Sequence, residues 1–273
     1  MKFLNELKAS YPELHPALND ITKALSLLLE CSRAGGTILT CGNGGSAADA
    51  EHIVGELMKG FHLKRRLTAL CAGPFIDTYP EDGVDLANGL QRGIAAVSLV
   101  SNGSLNSAII NDMKPAFEFA QQVYALGRPC DVLIGISTSG NSRNVINAVK
   151  VARIKGLKTI VLSGKDGGNL KNLADVCVRV AATRVDKIQE LHLPIYHYLC
   201  ASLEDILFND NKKEPILSNN TPPPTKKKVS LPETIEQIIF DFDGIFTDNK
   251  VYTAQDGTEM VMSDRRDGLG VEM

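Results

Sequence analysis

Two stretches of this sequence share one layout, in which a strand-like apolar run, a short polar loop and a run with helical spacing follow one another. The first reads TILTC, GNGGS and SAADAEHIVGELMKG, and the second reads DVLIGIS, TSGNS and RNVINAVKVARIKG. Another strand-like run, KTIVLSG, comes next. Strands that alternate with helices of this length indicate a parallel sheet with helices on both faces. We therefore predict an α/β fold with three layers, α/β/α.

Both polar loops follow strands, and the ligands of parallel sheets bind at the carboxyl ends of the strands. The glycines of the loop at 42–46 let backbone approach a ligand closely, and Ser46 is the predicted N-cap of the next helix. The loop at 138–142, with Ser137 ahead of it, offers hydroxyls and free backbone N–H groups at a helix start. Such a group of donors suits an anion such as phosphate. The same pattern also occurs in ordinary capped turns.

Three further segments complete the predicted domain. Residues 17–34 repeat apolar residues at helical spacing and stop at Gly35–Gly36. Residues 64–100 contain many turn residues, and we expect an irregular insertion there. A long helix is predicted at about 185–208, with a kink at Pro194 because its ring removes a donor and crowds the carbonyl of Glu190.

Composition narrows the class of protein. Hydrophobic residues make up 44% of the chain and charged residues 22%, as in globular proteins with a sizeable core. The net charge of −3 gives no electrostatic case for nucleic acid. Six scattered cysteines without a CxxC pair fit free thiols in a reducing compartment. The start, MKFLNELKAS, is unlike a signal peptide, and no apolar run has the length of a membrane span. We therefore expect a cytoplasmic protein without nucleic-acid or membrane partners.

Two residue pairs on predicted helices carry groups that bind metals or move protons. His52 and Glu56 are four residues apart, and Gln189 and His197 are eight apart. Both spacings put side chains on one face of a helix, so the four groups could converge on one ion or substrate. Taken separately, the first pair is also typical of a solvent-facing helix, and the second of surface or core polar residues.

These motifs together resemble the sugar isomerase (SIS) domain and, within it, the phosphoheptose isomerases, which act on sedoheptulose 7-phosphate. The matching stretches cover about residues 20–208 apart from the insertion, and they read LTCGNGGSAADAEHIVGEL, IIND, DVLIGISTSGNSRNVINA, TIVLSGKDGG and DKIQELHLPIYH. The resemblance implies a three-layer α/β/α SIS domain at 1–208 that forms a homotetramer with active sites between subunits. It also implies an aldose–ketose isomerase that supplies heptose for a surface polysaccharide such as lipopolysaccharide.

The resemblance also assigns roles to single residues. It implies a zinc ion held by His52, Glu56, Gln189 and His197. Glu56 and His197 would be the acid/base pair that moves a proton between C1 and C2 through an enediol. The phosphorylated sugar would be bound by Asn43, Gly44, Gly45, Glu56, Asn111, Asp112, Ser137, Thr138, Ser139, Ser142 and Gln189. Two alternatives stay open: a non-catalytic phosphosugar-binding SIS regulator or adaptor, and an isomerase of another ketose phosphate that the insertion selects.

The composition changes at about residue 209. The prolines, lysines and asparagines at 209–232 are typical of a semi-extended linker, and the lysine run at 226–228 is typical of a solvated tether. Residues 233–273 resemble the start of a haloacid dehalogenase-type (HAD) sugar-acid phosphatase, whose DxD motif falls on Asp241 and Asp243. In a complete domain these carboxylates would bind Mg²⁺. The later motifs of that family are missing from the sequence, so we expect this HAD-like α/β segment to be an inactive fragment.

Overall fold

The computed structural model describes residues 2–209, together with the backbone of residues 247–253 and 259–263. The chain divides into two compact units, Met1–Pro224 and Thr225–Met273. The first unit is built on a parallel sheet of five strands: β1 (Ile38–Gly42), β2 (Ala96–Ser98), β3 (Val132–Ser137), β4 (Lys158–Ser163) and β5 (Val176–Arg179). Their order across the sheet is β2-β1-β3-β4-β5, and every neighbouring pair is parallel.

Helices connect the strands of this sheet and cover it. Short 3₁₀ turns lie at Pro12–Ala17, Pro115–Phe117 and Gly168–Asn172. The α-helices of the described residues are α1 (Lys2–Ser10), α2 (Leu18–Arg33), α3 (Gly45–Met58), α4 (Ala69–Thr78), α5 (Gly83–Gly89), α6 (Gly103–Asp112), α7 (Glu118–Leu126), α8 (Arg143–Ile154) and α9 (Val185–Phe208).

Two hydrophobic cores lie on opposite faces of the sheet, because successive side chains of a strand point to opposite sides. Ile134 and Ile136 of β3 join the core that contains buried residues of α1, α2, α3 and α9. Leu133, which precedes Ile134 in the strand, joins the core under α7 and α8. The predicted three-layer α/β/α fold is confirmed. It places α3 and α9 side by side on one face of the sheet.

The segment at 64–100, which the sequence predicts to be irregular, is largely regular, so that prediction is wrong. It contains α4, α5 and the edge strand β2. The side chain of Thr68 caps α4 by accepting a hydrogen bond from the backbone N–H of Cys71 at 3.3 Å. α5 approaches α4 closely, since a Cβ on Gly83 would lie 2.1 Å from the carbonyl oxygen of Phe75. Contact between two short helices, which periodicity does not reveal, stabilises this segment.

The two helices that carry the predicted site follow the sequence prediction except at one end. α9 runs from Val185 to Phe208 without interruption, and the buried Pro194 lies inside it. α3 begins at Gly45, with Gly44 as its cap at a φ of 57°. Ser46 is buried inside the helix rather than serving as the predicted N-cap, because the left-handed turn at Gly44 starts the helix earlier.

In the second unit the described residues form two antiparallel strands, β6 (Thr247–Thr253) and β7 (Glu259–Ser263). Asp241 and Asp243 lie outside the described residues, as do residues 210–246 of the predicted linker and phosphatase start. The HAD-like segment therefore stays a prediction.

Candidate active site

The two predicted ligand loops meet at the carboxyl ends of β1 and β3. Asn43, in the first loop, exchanges two hydrogen bonds with Asn144, in the first turn of α8. The two N···O distances are 3.0 and 2.8 Å. Asn144 also donates to Glu118 at 3.2 Å, which fixes the amide from a third element. This amide pair holds the glycine loop and the serine loop beside one another.

The serine loop is ordered by its own hydroxyls. Ser137 donates to the hydroxyl of Ser142 at 2.9 Å, across the loop that leads into α8. The hydroxyl of Ser139 accepts a hydrogen bond from the backbone N–H of Asn141 at 3.1 Å. Gly140 has a φ of 66°, and a Cβ there would lie 2.0 Å from the carbonyl oxygen of Gly167. The exposed Ser139 and the start of α8 thus form a preordered turn with hydroxyls and N–H groups.

α3 and α9 bring three of the four predicted metal ligands together. Nε2 of His52 lies 3.3 Å from Oε1 of Glu56, one helical turn further along α3. The imidazole of His197, on α9, meets that of His52 at a centroid distance of 5.0 Å and an interplanar angle of 80°. Oε2 of Glu56 and Nε2 of His197 are buried and have no hydrogen-bond partner among the described residues. Lys59 approaches Glu56 Oε2 at 3.6 Å as a loose ion pair.

Gln189 lies apart from this group within one chain. A Cβ on Gly45 would lie 2.5 Å from Nε2 of Gln189, so the amide rests on the first turn of α3. His197 lies eight residues further along α9, which corresponds to about 12 Å at the 1.5 Å rise of a helix. Residues eight apart therefore lie on the same face of the helix but about two turns apart along its axis.

Tyr196 contacts His52 at the ring nitrogen that does not face Glu56, and Asp49 contacts the same tyrosine hydroxyl. The hydroxyl of Tyr196 lies 3.2 Å from Oδ1 of Asp49 and 3.1 Å from Nδ1 of His52. Burial raises the pKa of Asp49, and the hydrogen bond from Tyr196 partly opposes that rise. Burial, and then the Asp49 carboxylate, raise the pKa of Tyr196, so the hydroxyl keeps its proton. The sequence gives no signal for either residue. Asp49 has the position of an ordinary polar residue on an amphipathic helix, and Tyr196 has that of a core residue.

Two histidines of α9 have lowered pKa values. Burial, followed by the neighbouring His52, lowers the pKa of His197, which favours a neutral imidazole. His192 is fully buried against the backbone of Ser163, and burial lowers its pKa to about 4. Sequence reasoning missed His192. Its ring lies under the sheet end that carries the serine loop, since Ser163 donates to the carbonyl oxygen of Ser137 at 2.7 Å.

The chain that follows α3 is held by a carboxylate of α9. Glu204 accepts hydrogen bonds from the backbone N–H groups of Phe61, His62 and Leu63 at 2.8, 2.6 and 3.0 Å. The ring centroid of His62 lies 4.2 Å from that of Phe61 at an interplanar angle of 58°, and that of His197 lies 5.5 Å from the same phenylalanine. A groove of about 210 Å³ opens at this point, lined among others by His62, His197 and Tyr11.

The remaining predicted substrate contacts lie further away. Asn111 and Asp112 are exposed at the end of α6, where the amide of the first donates to the carboxylate of the second at 2.8 Å. In the part of the chain that the structure describes, no helix has the length and apolar character needed to cross a membrane. Within the same residues, no three His, Cys, Asp or Glu side chains are arranged so that they could hold a metal ion.

Two models of the SIS domain match this chain, at residues 2–73 and 105–196. A phosphoheptose isomerase of Rhodospirillum rubrum is 38% identical over 187 residues, which cover 68% of this chain and 86% of the relative. One of Helicobacter pylori is 37% identical over 203 residues, or 74% of this chain and 92% of the relative. The chain belongs to the phosphoheptose isomerase family.

Solved structures of phosphoheptose isomerases have the same fold. The protein from Neisseria gonorrhoeae is 35% identical with a TM-score of 0.55, and the match covers 73% of this chain and 98% of that protein. The protein from Francisella tularensis is 27% identical with a TM-score of 0.57, at 75% and 100% coverage. Phosphoheptose isomerases are aldose–ketose isomerases, so the protein is an enzyme of that class.

Proposed function

We propose that the protein converts sedoheptulose 7-phosphate to D-glycero-D-manno-heptose 7-phosphate in the cytoplasm, for the synthesis of a heptose-containing surface polysaccharide. The observation that carries the proposal is the meeting of Glu56 and His197 beside His52. A carboxylate and an imidazole on facing helices can take and return protons near neutral pH. Membership of the phosphoheptose isomerase family supports the substrate and the direction of the chemistry.

Glu56 and His197 divide the proton transfers between them. An aldose–ketose isomerisation needs one group that carries a proton between C1 and C2, and one that serves the adjacent oxygens. Oε2 of Glu56 is buried without a hydrogen-bond partner among the described residues, so this oxygen is free to take the carbon-bound proton. His197, which burial keeps neutral, accepts and returns the hydroxyl proton of the enediol.

The serine loop binds the phosphate of the substrate. Ser137, Thr138, Ser139 and Ser142 surround the start of α8, where free backbone N–H groups and the helix dipole favour an anion. Asn43, Gly44 and Gly45 border the same space through the Asn43–Asn144 pair. Binding energy from the remote phosphate is used to hold the reacting carbons in place.

The donor set near Glu56 fits a zinc ion in its chemistry. Imidazole and carboxylate are ordinary zinc ligands, and two polar atoms of these groups, Glu56 Oε2 and His197 Nε2, are buried without hydrogen-bond partners among the described residues. His52, Glu56 and His197 would hold the ion in an arrangement that their present side-chain positions do not form, each through an atom other than the one that takes a proton. The ion would polarise the sugar carbonyl and stabilise negative charge on its oxygen. Gln189 lies about 12 Å further along the axis of α9, and we assign its contribution to a second copy of the chain, as in the proposed homotetramer with sites between subunits.

One experiment tests this function. Turnover is measured on a panel of ketose phosphates of five to seven carbons, with and without a zinc chelator, for the wild type, Glu56→Gln and Glu51→Gln. We expect turnover of sedoheptulose 7-phosphate that the chelator removes and that Glu56→Gln reduces by about 10² to 10⁴. Glu51 is a matched control, because it lies on the same helix, is exposed and accepts a hydrogen bond from Ser101.

The outcome separates the proposal from its two alternatives. Phosphosugar binding without turnover would identify a regulator or adaptor instead of an enzyme. Turnover confined to a five- or six-carbon substrate would keep the isomerase but overturn the substrate. Full activity of Glu56→Gln would overturn the assignment of the acid/base pair.

A further inference from the structure

Three polar side chains are linked in series on the side of His52 that faces away from Glu56. Asp49, Tyr196 and His52 are linked by O···O and O···N distances of 3.2 and 3.1 Å through one tyrosine hydroxyl. Tyr196 is 2% exposed, and Oδ2 of Asp49 is buried without another partner among the described residues. Because water is excluded from this hydroxyl, its two contacts decide where its proton lies.

The direction of the hydrogen bonds follows from counting protons. An ionised carboxylate can only accept hydrogen bonds, and a tyrosine hydroxyl carries a single proton. If Tyr196 donates to Asp49, the same hydroxyl must accept from His52, and Nδ1 of His52 must carry the ring proton. The other nitrogen, Nε2, then presents a lone pair 3.3 Å from a carboxylate oxygen of Glu56. Two such atoms at this distance can share a cation, and the Lys59 ammonium, 3.6 Å from the other oxygen of Glu56, does not lie between them. A second proton on the ring would instead make the contact an ion pair.

We propose that Tyr196, backed by Asp49, is a positioning residue that holds His52 with Nδ1 protonated, so that Nε2 is kept as a metal ligand facing Glu56. The inference rests on the zinc site in the proposed function and adds to it the group that sets the tautomer. A ligand histidine whose second nitrogen is held by a polar partner has its ring orientation fixed before the metal arrives. Tyr196 is thereby assigned a role outside the acid/base pair and outside the phosphate loop.

Zinc affinity of the purified full-length protein tests the proposal. The dissociation constant is measured by competition with a chromogenic chelator for the wild type, Tyr196→Phe, His52→Ala and Tyr198→Phe. Loss of a partner behind a ligand typically weakens metal binding by about 10- to 100-fold, and we expect that loss for Tyr196→Phe. Tyr198→Phe is the matched control, since Tyr198 is buried on the same helix and its hydroxyl is bonded to Ser202. Thermal midpoints of all variants show whether the fold is kept.

A second measurement reads the tautomer without any metal. In zinc-free protein labelled with ¹⁵N-histidine, the protonated and unprotonated nitrogens of His52 have well-separated shifts, assigned by their loss in His52→Ala. We expect Nδ1–H in the wild type and in Tyr198→Phe, and a mixture of tautomers in Tyr196→Phe. An Nε2–H tautomer in the wild type would overturn the proposal, because Tyr196 would then donate to His52 rather than accept.

The results distinguish this inference from the proposed function. Unchanged zinc affinity in His52→Ala would refute the zinc site itself. Weak binding in His52→Ala together with wild-type binding in Tyr196→Phe would refute the positioning role alone. A cycle with Asp49→Asn adds a further check: if the two residues act as one chain, the double variant loses much less than the product of the two single losses. Independent, multiplying losses would contradict a shared role.

Discussion

Oε1 of Glu204 lies 2.7 Å from Nε of Arg65, and both side chains are fully buried. The guanidinium also donates to the carbonyl oxygens of Leu57 and Glu56 at 2.6 and 3.0 Å. The pair therefore fastens α9 to the last turn of α3, at the backbone of Glu56, whose carboxylate is the proposed proton-transfer group. Since Glu204 also accepts three backbone N–H groups, it satisfies a stretch of chain that forms no regular structure.

Replacing Glu204 by Ala is expected to destabilise the protein by about 3 to 5 kcal/mol, because it leaves the Arg65 charge buried and unpaired. Urea unfolding measures the change. Glu190→Ala is the control, because its ion pair with Lys187 is exposed at 52% and 59% and is expected to contribute less than about 1 kcal/mol. Equal losses in the two variants would contradict a structural role for the buried pair.

The Glu204 carboxylate should also make the folding stability of the protein fall at acid pH. Burial alone would raise the pKa of Glu204, but the N–H groups of Phe61 and His62 and the Arg65 guanidinium outweigh it and lower the pKa below the ordinary 4.5. A lowered folded-state pKa contributes stability above the unfolded value, and that contribution disappears as the pH falls through the folded value. Stability curves between neutral and acid pH should therefore be steeper below 4.5 for the wild type than for Glu204→Gln. Parallel curves would show that another group controls the acid transition.

Gly45 provides a test of the Gln189 contact. In Gly45→Ala the new methyl group would collide with the Gln189 amide at 2.5 Å, and this flexible side chain would move aside. We expect near-normal thermal stability with a clear loss of turnover. Gly55→Ala on the same helix is the control, since nothing lies within 4 Å of its added Cβ, and it should gain up to about 1 kcal/mol with full activity. Full activity of Gly45→Ala would show that Gln189 can be displaced without consequence.

Ser139→Ala should separate binding from chemistry. The hydroxyl is exposed in the serine loop and is proposed to bind the phosphate rather than to transfer protons, so its loss should raise KM more than it lowers kcat. Steady-state kinetics on sedoheptulose 7-phosphate give both constants. Ser26→Ala, on the exposed side of α2, is a suitable control because its hydroxyl donates to the carbonyl oxygen of Thr22 in the same helix. A fall in kcat at constant KM would place Ser139 in the chemistry instead.

A further prediction concerns the phosphatase activity of the HAD-like segment. The full chain with Mg²⁺ and a phosphate ester should show no hydrolysis above background, because only the first motif of that family is recognisable at 233–273. Deleting the residues after Asn209 should leave isomerase activity and the thermal midpoint nearly unchanged. Hydrolysis that Asp241→Asn removes would contradict the first expectation, and a loss of isomerase activity or thermal midpoint on deletion would contradict the second.

The sequence predicts the sheet, the long helix α9 and the loops at 42–46 and 138–142 because these depend on local pattern. α9 begins and ends where its periodicity places it, at Val185 and Phe208. Contacts between residues that are distant in the sequence cannot be predicted from local pattern. The packing of Gly83 against Phe75 determines the insertion, and no periodic signal marks it.

In the candidate site too, the spacing within a helix is predictable from the sequence, whereas contacts between helices are not. Spacing alone puts Gln189 and His197 on one face of α9, yet it says nothing of their separation along the axis. Asp49 and Tyr196 are 147 positions apart in the chain, and only the packing of α3 on α9 brings them together. Buried polar pairs of this kind become visible once the neighbours of each helix are known.

α9 contributes buried residues along most of its length, from Ile188 to Glu204, and the same helix bears His197 and Tyr196. Segments of this kind exchange their amide hydrogens only when the whole domain opens, whereas exposed loops open readily. The backbone that carries His197, the imidazole proposed to transfer protons, therefore belongs to the part of the protein that opens most slowly. Control of turnover by ligands or by temperature is therefore expected at the loops at 42–46 and 138–142 rather than in the backbone of α9.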